Sequence, residues 1–194
     1  GSSVGSRVEL AGQRDRVRRL AATCAAGGLV GSVLLLLSSS RTFERVVPWL
    51  IAGASVAILV RPRPPVEGTQ VADGDPRLLT GAAFGIAVYG GYFGAAAGVL
   101  MLSALLLLTP ETVARSNGVK NVVMTCANAV AAVAFMVFGP VRWVAVIPLS
   151  VGFLVGGRVG PIVVRRVPVT ALRLLIAAGG MGLAVHLGLD AYSR

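Results

Sequence analysis

The chain has 194 residues, 55% of them hydrophobic and 13% charged, with a net charge of +10 and a mean hydropathy of +0.80. A water-soluble domain carries about a quarter charged residues, so this composition excludes an ordinary soluble fold and points to lipid as the solvent. The arginines cluster between apolar runs instead of forming one basic stripe. That distribution fits lipid headgroups and cytoplasmic loops and speaks against nucleic acid as a partner.

Residues 1–19 are polar and basic (Arg7, Arg14, Arg16, Arg18, Arg19) and read as a loop or the interfacial start of a helix. Gly1-Ser2-Ser3 runs into this stretch without an initiator Met, and the start is expected to be internal to a longer protein. Leu20–Leu37 is uncharged and long enough to span, since a helix needs about 20 apolar residues to cross a ~30 Å hydrocarbon core. Val46–Val60, extended at its front by Phe43, is the second predicted span, with Pro48 and Trp49 near the interface. Residues 61–77 carry four prolines and mixed charge and form a linker.

The third run, Leu78–Leu108, would reach about 46 Å as one helix, long for one crossing and short for two. In its middle lies Tyr89-Gly90-Gly91-Tyr92-Phe93-Gly94-Ala95-Ala96-Ala97-Gly98, a poor stretch for a continuous helix. A broken or re-entrant helix is expected, in which irregular backbone at membrane depth is buried in protein or lines a cavity. Val122–Phe138 is the fourth span, closed by Gly139-Pro140. Trp143–Val164, interrupted by Arg158, is the fifth, and Ala171–Leu189 the sixth. The predicted fold class is therefore all-α, a polytopic transmembrane bundle.

The distribution of cations bears on the broken run. With residues 1–19 and 61–77 cytoplasmic, a dip and return over 78–108 puts Arg115, Lys120, Arg165 and Arg166 on the cytoplasmic side too, as the positive-inside rule favours. The last two spans then lie upside down relative to the first two. Sliding the sequence against itself agrees. When Gly27-Gly28-Leu29-Val30-Gly31 falls on Gly152-Phe153-Leu154-Val155-Gly156, Arg41 meets Arg166 and Leu50-Ile51-Ala52 meets Leu175-Ile176-Ala177. An inverted repeat is a common transporter plan. It divides the chain into residues 1–60 as the end of a first repeat, the linker 61–77, and 78–194 as a second repeat. The partners of residues 80–125 would then precede residue 1.

On the fourth span, Asn117, Asn121, Thr125 and Asn128 share an arc of roughly 80° at ~3.6 residues per turn, flanked by Lys120. Lipid cannot satisfy amides, so this arc is expected to face the bundle interior or a water-filled path, where amide and ammonium donors suit an oxyanion. The alternative is that Lys120 snorkels to the headgroups and the amides join helices. Gly90, Gly94 and Gly98 recur at every fourth position, as do Gly152, Gly156 and Gly160. For the second set, close helix packing is the better reading. For the first, Gly90-Gly91 with the flanking Tyr89 favours a break that exposes backbone N–H groups to an anion. Arg158 either snorkels or faces the pathway.

Cys24 and Cys126 lie in apolar runs with no CxxC and no His/Cys cluster, so they read as small buried hydrophobes without a metal or cofactor. No nucleotide-binding motif is present. Gly53-Ala54-Ser55 and His186 loosely resemble an intramembrane serine protease, but no orienting residue or oxyanion donor accompanies them.

The Tyr89–Val99 stretch, followed by Asn117-Gly118-Val119-Lys120-Asn121, resembles the sulfite exporter TauE/SafE family of membrane permeases. Trp143, Gly152-x-x-x-Gly156 through Pro168, and Leu172-Arg173 look like the end of that family's second half, and residues 20–60 like the end of its first. Ala95-Ala96-Ala97 stands where the family is usually richer in glycine. The resemblance implies passage of small sulfur-containing anions such as sulfite or organosulfonates, with Gly90, Gly91, Gly94, Asn117, Lys120 and Asn121 at the site. The expected protein is a multi-pass permease of the cell membrane, working by alternating access without a cofactor. Its partners are the bilayer and a small anion, and homo-oligomers are compatible with this reading. The competing readings are a non-transporting membrane subunit or truncated product, and the protease.

Overall fold

The computed structural model describes residues 14–59, 75–166 and 168–193. Arg7 and most of the predicted 61–77 linker lie outside the described residues. Seven helices account for nearly all of the described chain: α1 Arg14–Leu37, α2 Ser40–Leu59, α3 Pro76–Tyr92, α4 Ala97–Leu108, α5 Val113–Phe138, α6 Trp143–Arg166 and α7 Val169–Ser193. Among the described residues five stretches are long and apolar enough to cross a membrane: Asp15–Leu37, Ser40–Leu59, Val113–Phe138, Trp143–Gly160 and Thr170–Tyr192.

Local chemistry sets the helix starts. Asp75 caps α3, its carboxylate accepting the Arg77 N–H at 2.9 Å, and Pro76 opens the helix where its missing N–H costs nothing. Thr112 caps α5, its hydroxyl accepting the Arg115 N–H. The fourth span thus begins at Val113, well before the Val122 expected from hydropathy. Asn117, Lys120 and Asn121 interrupt the apolar run without interrupting the helix, because polar residues cost a helix interior only tenths of a kcal/mol.

The bundle is built around α1. Cys24 reaches the Ala83 carbonyl of α3, with Sγ 3.8 Å from the oxygen. Further along, Gly27 lies against Phe84 and Ala87, and Gly31 against Val88 and Gly91. Residue numbers rise together along both helices, so α1 and α3 run parallel. On its other flank α1 meets α5, with Arg16 near Glu111 at 3.9 Å and Gly28 against Ala127; this pair is parallel too. Helix α4 packs between α3 and α5. It starts beside Gly90 and ends near Glu111, at the Arg16 end of α1, so it runs against its neighbours. Val17, Leu20, Cys24, Leu79, Ala83, Ala87, Met101, Leu105, Val119, Val123 and Ala127 form the shared core.

Three glycines make the α1 contacts possible. A Cβ on Gly28 would sit 2.6 Å from the Ala127 carbonyl oxygen, one on Gly27 2.8 Å from the Phe84 carbonyl oxygen, and one on Gly31 would collide with the Val88 carbonyl. Backbones approach this closely only across small residues, the usual way helices associate in lipid.

Helices α2 and α7 form a second unit and run antiparallel. Pro48 meets Gly188 and Ser55 meets Gly180, while Trp49 donates to the Tyr192 hydroxyl at 3.3 Å. Helix α6 makes no extended contact with another described helix, and none of Trp143–Gly160 is buried.

Candidate functional site

The helix that begins at Pro76 stops at Tyr92, and the chain restarts as α4 at Ala97. The interruption lies in Phe93–Ala96, not at the glycine pair. Phe93 and Gly94 both donate their N–H to the Tyr89 carbonyl. Gly94 has φ +82° and Ala96 φ +60°, a left-handed backbone that glycine adopts freely and alanine adopts at a cost. Gly90 and Gly91 stay within α3. Gly91 is buried where α3 crosses Gly28, and a Cβ on Gly90 would lie 3.3 Å from the Ala97 methyl. Their smallness therefore serves close approach between helices, and Gly94 is the residue at the turn. Gly98 lies in the first turn of α4 with open space around it. Tyr89 is half-buried, its ring 6.1 Å from that of Phe93.

On α5 the sequence arc is real, and it points away from α1 and α3. The buried face is Ser116, Gly118, Val119, Val123, Met124, Ala127, Ala131 and Ala134. Asn117, Thr125 and Asn128 are exposed, and Lys120 and Asn121 are half-buried. Thr125 donates to the Asn121 carbonyl one turn back at 2.6 Å. Met124, at the edge of this face, approaches Gly90 of α3. Gly90 also lies beside Ala97, where the chain restarts, so α5 passes the interruption at Met124, one turn from Asn121 and Asn128. The helical wheel identifies which residues share a face; only the packing reveals that no described helix covers most of it.

Ser55 and His186 are not brought together. Ser55 donates to the Ile51 carbonyl at 2.8 Å and packs on Gly180, while His186 lies about 9 Å further along α7 at 1.5 Å per residue and faces Asp190 at 3.8 Å. Of the cysteines, Cys24 is fully buried and Cys126 half-buried. Among the described residues no group of His, Cys, Asp and Glu could hold a metal. Arg158 is exposed on α6.

Two features escaped the sequence reading. Gly27, Gly28 and Gly31 emerge as the packing seam of the bundle, a role their spacing could have signalled. Ser116 is buried at the start of α5 with its hydroxyl unpartnered among the described residues. Removing an unsatisfied buried hydroxyl relieves a desolvation penalty. Ser116→Ala is therefore expected to leave thermal stability in detergent unchanged or raise it by up to ~1 kcal/mol, read as an equal or higher melting temperature.

Long apolar helices, a helix interrupted within them and an amide-lined helix beside it define an all-helical membrane protein. The model of the family described as "Sulfite exporter TauE/SafE" matches residues 1–187, and the chain belongs to that family. Membership implies a membrane transporter of the sulfite or anion class, and not an enzyme. No curated protein and no solved structure matches the chain.

Proposed function

We propose that this chain carries a small sulfur-containing anion, of the sulfite or organosulfonate class, across the cell membrane by alternating access. The observation that carries the reading is the open amide face of α5 beside the broken helix. The side-chain amides of Asn117, Asn121 and Asn128 would each cost several kcal/mol against hydrocarbon if left unpaired. A hydrated, anion-accepting path along this face removes that cost. Lys120 supplies the positive charge and the amides supply N–H donors. The turn at Phe93–Ala96, with Tyr89 and the Gly90, Gly91, Gly94 and Gly98 positions around it, forms the adjoining wall.

In this reading α3 and α4 are a re-entrant hairpin that enters and leaves on the same side. The parallel course of α1, α3 and α5, with α4 returning, supports it. So does the cluster of Arg16, Arg18, Arg19, Arg77 and Arg115 at one end of these helices, which the positive-inside rule assigns to the cytoplasm. Helix α6 then runs opposite to α1, whose sequence it repeats, as an inverted repeat requires.

Two experiments test this. In proteoliposomes, sulfite, thiosulfate and sulfoacetate are offered in turn; flux of at least one is expected, and absence of flux for every anion sinks the assignment. In cells, single cysteines replace Ser39, Ala114 and Arg142 in a background lacking Cys24 and Cys126. Positions 39 and 142 should react with an impermeant maleimide from outside, and position 114 only after permeabilisation. Labelling of position 114 from outside would mean that residues 78–108 cross once and would rule out the hairpin.

A further inference from the structure

A groove of about 430 Å³ opens between the first turns of α1 and α3, lined by Asp15, Arg16, Arg19, Leu20, Pro76, Leu79 and Thr80. Its composition is divided. Leu20 and Leu79 are buried core residues, and they give the groove an apolar floor. Among its lining residues Arg16 and Arg19 carry two positive charges against the single negative charge of Asp15. Arg16 is shared with Glu111, which also pairs with Arg115 at 3.5 Å. Arg19 is exposed and makes no ion pair among the described residues. Thr80 has already given its hydroxyl proton to the Pro76 carbonyl at 2.7 Å. The donors left for an incoming group are guanidinium N–H groups.

Depth matters as much as charge. Arg19 immediately precedes the uncharged Leu20–Leu37 run, and Arg77 immediately precedes the apolar run of α3. Both arginines therefore stand at the level where headgroups meet acyl chains, where a polar tip and an apolar body are accommodated together. A small hydrated anion would match the arginines but gain nothing from the leucine floor. An amphiphile with a phosphate matches both.

We propose that this groove is a binding site for one anionic phospholipid, its phosphate held by Arg19 and Arg16 and its first methylenes lying along Leu20 and Leu79. The bound lipid bridges α1 and α3 at the end opposite their Gly31–Gly91 crossing and so clamps the two helices together. The site is separate from the amide face of α5, and the proposal stands whether or not that face carries an anion.

The test uses the full chain in nanodiscs of phosphatidylcholine alone or with phosphatidylglycerol, reading retained lipid by native mass spectrometry and unfolding by melting temperature. Phosphatidylglycerol should be retained in preference to phosphatidylcholine and should raise the melting temperature. Arg19→Gln should weaken that retention about fivefold, as loss of one basic residue at a membrane surface does. Arg142→Gln removes the same charge from an exposed loop at the other end of α5 and should change nothing. Equal loss from both variants would reduce the effect to net charge and overturn the site. Full protection by free sulfate or sulfite in phosphatidylcholine discs would assign the groove to a soluble anion and overturn it as well.

Discussion

Gly31→Val is expected to abolish the folded bundle, and Gly28→Ala to lower its stability by about 1–3 kcal/mol, the usual cost of overpacking a tight contact. The two positions differ from most other glycines of the chain in what a side chain would strike. At both it is backbone, the Val88 carbonyl of α3 for Gly31 and the Ala127 carbonyl of α5 for Gly28. A carbonyl cannot rotate away as a side-chain tip can, so one of three helices must move. Gly53 and Gly85 provide the contrast, since a Cβ at either meets nothing within 4 Å. Replacing a mid-helix glycine by alanine there should stabilise by about 0.5–1 kcal/mol. The measurement is a melting series in detergent with size-exclusion profiles. Gly28→Ala melting with Gly53→Ala, at or above the parent, would refute the seam.

Lys120→Gln should reduce anion flux in proteoliposomes by about one to two orders of magnitude, the equivalent of a lost charge-assisted hydrogen bond worth ~1.5–3 kcal/mol. Lys120→Arg keeps the charge on a longer, planar head and should recover part of the flux. Lys120 is half-buried and stands on the same stripe of α5 as the buried Ser116, Met124 and Ala127, so the melting temperature of each variant has to be read beside its flux. A normal melting temperature with lost flux separates a role in the path from a role in packing. Unchanged flux in Lys120→Gln would remove this residue from the site. Asn121→Ala should fall between the two, because a neutral amide contributes less than an ammonium.

Much of the helical layout was legible because hydropathy reads out membrane spans almost directly. Leu20–Leu37 lies within α1, and the expected interruption of 78–108 is present as the gap between Tyr92 and Ala97. The place of the gap was less legible. Gly90-Gly91 looks like the weakest point of the run, yet both residues are helical, and the backbone turns at Gly94 and Ala96. A glycine can answer a need for unusual φ or a need for no side chain, and composition alone does not separate the two. Gly91 answers the second, because Gly28 of α1 crosses it. The start of α5 was misjudged for a related reason. Hydropathy marks where a helix can sit in lipid, whereas the Thr112 cap marks where it begins. The amide arc was correctly grouped from its period, but which side of α5 packs depends on α1 and α3, which periodicity within α5 cannot report.

The central position of α1 also constrains the order in which this protein can be completed. Helix α1 precedes both of its described partners in the chain, so its glycine seam meets them only after Gly91 and then Ala127 have entered the membrane. Helix α2, inserted next, waits longer still, since its seat against α7 includes Tyr192. Helices α1 and α2 are therefore inserted before these particular partners exist, in the manner of two-stage membrane folding. During that interval the glycine face of α1 can receive any small-faced helix that reaches it, and α3 and α5 must outcompete such strangers for it.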